Sequence, residues 1–174
     1  MNACRGCNVA VREVSYPEYE TTVKYSGCIL LPGQYNILWR TAWLAFFNCA
    51  HAIHNKHYDV AFVPGGVFLT SINYWRKPDN SWRRYIDISY VSLSLAYQSL
   101  RAYNAQNSRL YYSLVCVGII NYCIGVYYFK RKYYWKSTYY HAALHIVMAT
   151  SNSVLYSGTI GPIHTTPLIS YFYT

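Results

Sequence analysis

Apolar stretches alternate with short polar links along most of this chain. Segments poor in charge fall at about 35–51, 60–75, 85–103, 110–129 and 138–156. Their lengths and the hydrophilic links between them predict five helices. The fourth is the clearest: 20 residues without a charge, which matches the roughly 20 needed to cross a hydrocarbon core. The first contains Arg40 near one end, where a long side chain can run along apolar surface and keep its head in water. The third is uncharged only from 88 to 100. Pro64-Gly65-Gly66 sits in the first turns of the second and predicts either a kink or the close approach of a neighbour. Residues 1–34 read as a polar, turn-rich extramembrane tail, and 158–174 as an apolar, Gly- and Pro-bearing tail that is re-entrant or interfacial. The N-terminal residues carry charges and lack an apolar run, so they do not read as a signal peptide. The expected fold is all-α: a polytopic membrane helix bundle of about five transmembrane helices.

The charges sharpen this into a topology. With the N-terminus inside, the inside segments hold Arg5, Arg12 and Lys24, then Arg76, Lys77, Arg83 and Arg84, then Lys130, Arg131, Lys132 and Lys136. The outside segments hold Lys56, Arg101 and Arg109. Lys and Arg collect in cytoplasmic loops, so the bias supports five spans and a cytoplasmic N-terminus. Four or six spans would move a basic loop outside. Composition agrees. Residues are 53% hydrophobic and 12% charged, where a soluble domain carries about 25% charged. The 22 Tyr and five Trp suit membrane–water interfaces, and Tyr depresses the mean hydropathy to +0.02. The net charge of +9 is read as loops beside anionic lipid, so the expected partner is the bilayer and not nucleic acid. Which membrane, and the oligomeric state, stay open.

Candidate chemistry centres on His141 and His145, four residues apart at the head of the last segment. On a helix these share one face, and two imidazoles so placed can grip one metal ion. Ionisable groups within a span are costly and mark function. Ser71 and Trp75 close the second segment, Asp87 opens the third, and the topology sets all of them in one layer roughly 10 Å thick. Two His and one Asp are ligands that zinc accepts. On this reading His141, His145 and Asp87 hold the metal, Asp87 serves as ligand or general base, and Ser71 assists an oxyanion or the water. The plain structural reading stands beside it: Asp87 as a helix N-terminal charge, Ser71 bonded to its own backbone, the histidines bonded to carbonyls.

The order Ser71-x3-Trp75, then Asp87, then His141-x3-His145 resembles the CREST superfamily of multi-span membrane hydrolases, which includes the alkaline ceramidases and the progestin/adiponectin receptors. The matched stretch covers about 70–152. The resemblance implies a zinc-dependent hydrolase of a lipid amide or ester, with lipid as substrate. Two departures stand against it. Trp75 occupies the place of the third zinc histidine, and an indole is a donor only; five spans also replace seven. The resemblance therefore implies a degenerate hydrolase-like protein. A non-enzymatic scaffold or receptor-like protein is the alternative, and a small channel or transporter subunit the second alternative. Two lesser signals remain. Cys4-Arg5-Gly6-Cys7 is half a metal or redox motif without a partner. His51, His54 and His57 offer an outer metal site, a proton-sensitive patch or polar interface residues, the last favoured because Lys56 would repel a cation.

Overall fold

A computed structural model describes residues 28–162. Cys4, Cys7 and most of both predicted tails lie outside the described residues. Within them are five α-helices: α1 Pro32–His54, α2 Tyr58–Trp75, α3 Trp82–Ala102, α4 Ser108–Lys130 and α5 Tyr134–Tyr156. They overlap the five predicted segments, and their ends differ from the predictions by a few residues. α1 starts earlier than expected because Pro32 is pre-set for a helical first turn and Gln34 Oε1 accepts the Leu31 amide at 3.0 Å.

Short links reverse the chain between consecutive helices. α1 and α4 end in the same way. His57 N–H bonds Ala52 O at 2.9 Å and Lys56 N–H bonds Ile53 O at 3.0 Å. Tyr133 N–H bonds Tyr128 O and Lys132 N–H bonds Phe129 O, both at 3.0 Å. These paired bonds are Schellman caps, and they place Lys56 (φ 61°) and Lys132 (φ 64°) in the left-handed region.

α1 packs on α2 and α5, α2 on α3, and α5 on α4; α3 meets α4 only sparingly. One such contact is the Tyr112 hydroxyl, which donates to Ser99 O at 2.6 Å. The helices thus form an arc in the order α3, α2, α1, α5, α4. The α2–α3 and α4–α5 links, with Arg76, Lys77, Arg83, Arg84 and Lys130 to Lys132, lie at the same end, hereafter the basic end. The chain before α1 joins them there through Ile29 N–H to Pro78 O at 2.9 Å. At the opposite end the Gln106 amide bonds Thr159 O at 3.0 Å, and the ring of His57 bonds Gly158 O at 3.0 Å.

The Pro64-Gly65-Gly66 stretch serves close approach. A Cβ on Gly66 would lie 2.0 Å from the Tyr90 hydroxyl of α3, and one on Gly65 would lie 3.2 Å from Cys49 Sγ of α1. Tyr90 then donates to Phe62 O at 3.2 Å.

Polar side chains are buried beside an apolar core that includes Leu38, Val60, Tyr111, Leu155 and Tyr156, while many large apolar side chains are exposed. Buried positions include Gln34, Asn48, Ser71, Asp87, Ser94, Gln98, Arg101, Thr138 and Ser151. The exposed positions include Phe47 at 62%, Leu69 at 67%, Leu93 at 70% and Ile120 at 57%. α3 states the rule most clearly. Asp87, Ser94, Gln98 and Arg101 form one buried polar stripe at helical spacing, while Ile88, Val91 and Leu93 face outwards. Arg101, counted among the outside charges at the end of the third segment, is buried in the last turn of α3. Its Nε donates to Asp59 Oδ2 at 2.8 Å and its Nη1 to Gly161 O at 2.8 Å. Among the described residues one helix, α4, is long and apolar enough to cross a membrane, and only 22% of its most apolar stretch is buried within the molecule.

Candidate functional site

The residues singled out by sequence fall at the basic end, in two neighbouring groups joined by α2. Ser71 and Trp75 are one helical turn apart on α2, and both are buried.

Ser71 faces α3. Its hydroxyl donates to Asp87 Oδ1 at 2.7 Å, and the Thr70 hydroxyl donates to the same oxygen at 2.9 Å. Asp87 sits in the second turn of α3 and is buried. A buried carboxylate is costly unless hydrogen-bonded, and the two hydroxyls meet that need. Asp87 is thus neither a free helix-terminal charge nor solvated, and Ser71 is not turned to its own backbone. Thr70 was missed by sequence reasoning, although its place beside Ser71 is a usable signal.

Trp75 faces α5. Its ring centroid lies 5.1 Å from that of His141 and 6.5 Å from that of His145, edge-on to both. The two imidazoles are 5.0 Å apart, also edge-on, and both are partly buried. His145 Nδ1 lies 2.8 Å from Thr41 Oγ1 on α1. The Thr41 hydroxyl also lies 3.1 Å from Leu38 O. The Thr41 hydroxyl can donate to or accept from Nδ1 of His145, and either bond holds the ring by that nitrogen. Nothing in the sequence marks Thr41 as a partner of His145, because the two are 104 residues apart.

The residues present do not fit a catalytic zinc. Such a site needs three protein ligands and an open position. Here two imidazoles converge, the third ring is an indole, and Asp87 is engaged by Ser71 and Thr70. Among the described residues no three His, Cys, Asp or Glu side chains lie close enough to share an ion. What the arrangement offers is a buried, hydroxyl-solvated carboxylate and, beside it, a three-ring stack anchored by Thr41.

The outer histidines do not gather. The ring of His51 packs 6.3 Å from that of Tyr156, His54 is exposed at the end of α1, and His57 precedes α2 with its ring on Gly158 O. They make separate contacts at the end opposite the candidate site.

The chain matches no protein-family model, no curated protein and no solved structure.

Proposed function

We propose that this chain is a multi-pass integral membrane protein, with five spans and the basic end facing the cytoplasm, whose hydrolase-like polar site is non-catalytic. The observation that carries the membrane reading is the exposure of large apolar side chains on all five helices, among them Phe47, Phe62, Leu69, Leu93, Ile120 and Ile146, around a core that also holds polar groups. Water disfavours so many exposed large apolar side chains. In lipid the same surface is solvated and the inner polar groups become helix–helix contacts. Aromatic side chains at both ends support it. Trp82, Tyr85, Tyr127 and Tyr139 are exposed towards the basic end, and Tyr58 and Tyr103 at the other. Tyr85 and Tyr103 lie on or just beyond α3, 18 residues apart, a rise of about 27 Å, close to the hydrocarbon thickness of about 30 Å. The other four helices fall short of the hydropathy of α4 because they carry more polar side chains, among them the buried Gln34, Asn48, Ser71, Asp87, Gln98, Arg101, Thr138 and Ser151.

Cys116 and Cys123, exposed on α4, provide the test. In a chain whose other cysteines are replaced, a membrane-impermeant maleimide leaves both unlabelled in native membranes and labels both after denaturation in SDS. Rapid labelling before denaturation, with the chain in the soluble fraction, would overturn the membrane reading.

The non-catalytic reading is supported by Trp75 standing against the histidine pair. The CREST-like reading, a zinc-dependent hydrolase of a lipid amide or ester, keeps one specific observation in its favour: the Ser71–Asp87 bond lies one turn of α2 from that pair. Metal content of the purified chain separates the two. About one zinc per chain, lost in His141→Ala/His145→Ala, supports the hydrolase; no stoichiometric metal supports the scaffold.

A further inference from the structure

We infer that His141 and His145 form a two-histidine half-site for a divalent transition metal, and that Trp75 is the side chain that bars the ion from it. The inference rests on the non-catalytic reading above and gives that reading its cause.

Three observations converge. The first is spacing. Two imidazoles bound to one tetrahedral zinc, with Zn–N about 2.0 Å, place their ring centroids about 5 Å apart. The rings of His141 and His145 stand at 5.0 Å. The second is orientation. The Thr41 hydroxyl holds His145 by Nδ1 at 2.8 Å, so the ring is oriented through that nitrogen. A hydrogen bond from the far ring nitrogen is what fixes the tautomer and raises the basicity of a metal-ligating histidine. The third is occupancy. The indole of Trp75 is 5.1 Å from His141, the spacing of a third ligand ring, and 6.5 Å from His145. Indole has one N–H and no lone pair to give. It fills the space of a ligand and brings none. Two imidazoles with no third protein ligand fall short of both structural and catalytic zinc sites.

Trp75 is held there by its own neighbours. It is buried and lies tilted against Tyr74 at 4.6 Å, in a cluster with Leu38, Ala42 and Ala142. The backbone at 75 is therefore a fixed platform one turn from Ser71, and a shorter side chain with a lone pair placed on it would reach the half-site.

The test uses the full chain in detergent with cobalt(II) as probe, because tetrahedral cobalt reports its ligands through visible absorption. Wild type is expected to show no stoichiometric cobalt spectrum. Trp75→His is expected to bind one cobalt per chain, on the order of 100-fold more tightly than wild type, and to lose it when His145→Ala is added. Trp75→Ala guards against a variant that fails to fold. It opens the position, and free imidazole added as third ligand is expected to restore the cobalt spectrum. If neither variant binds cobalt better than wild type, the role given to Trp75 is overturned while the non-catalytic reading stands. If wild type itself binds one cobalt per chain through His141 and His145, the non-catalytic reading falls with it. Neither outcome depends on how the helices cross a membrane.

Discussion

Two lysines carry backbone conformations that favour glycine. Lys56 and Lys132 close α1 and α4 in the left-handed region, where a Cβ crowds the following carbonyl and costs roughly 1–2 kcal/mol. Glycine removes that clash but adds unfolded-state freedom, so the net gain is smaller. Lys132→Gly is expected to stabilise the fold by about 0.5–1 kcal/mol, read from equilibrium unfolding in mild detergent. A loss of stability would show that the lysine side chain, not the backbone, matters there. Neither helix end was legible in the sequence to the residue, because the usual glycine signal of a Schellman cap is absent. At the candidate site the sequence led to Ser71, Asp87, His141 and His145 through their spacing. It also led to the oddity of Trp75. It did not lead to Thr41 or Thr70, whose hydroxyls acquire meaning only when helices distant in sequence are brought together.

At the scale of elements, the chain shows two ways of placing helices close together. One is the glycine step. Tyr90 of α3 lies across Gly66 of α2 so closely that a single methyl group would meet its ring and hydroxyl within 2.5 Å. These atoms are the far end of the Tyr90 side chain, so relief requires its ring to swing aside and give up the bond to Phe62 O, or the two helices to separate. Gly66→Ala is expected to cost about 1–3 kcal/mol, the range for overpacking a tight contact. Tyr90→Ala in the same chain should recover much of that loss, and a double-mutant cycle by thermal unfolding measures the coupling. Additive losses would mean the α2–α3 contact is looser than drawn. The other way is the polar stripe of α3. Its periodicity was open to reading from Asp87, Ser94, Gln98 and Arg101, yet an apolar stripe is the usual guide to a buried face. In α3 that guide points the wrong way. The predicted third span was short for the same reason: its charged ends, Asp87 and Arg101, belong inside the helix as buried, partnered groups.

For the whole molecule, the alternation of apolar segments and basic links was enough to foresee five helices and an all-α bundle. It could not supply the arc order α3, α2, α1, α5, α4, which follows from tertiary contacts alone. The two ends differ in kind. Among the described residues the basic end carries most of the cations; Lys136 lies over the rings of Tyr128 and Tyr133, and Arg131 over Tyr127. The opposite end neutralises its buried arginine with Asp59 and with the Gly161 carbonyl. The central claim is that both basic links face one side of a membrane and the remaining links face the other. Single cysteines at Lys77, Lys132, Lys56 and Asn104, each in a cysteine-free chain, test it directly with an impermeant maleimide added to sealed vesicles of known orientation. Lys77→Cys and Lys132→Cys are expected to react together from the cytoplasmic face alone, and Lys56→Cys and Asn104→Cys from the opposite face alone. Reaction of Lys77→Cys and Lys132→Cys from different faces, or of all four from both, would contradict a five-span bundle.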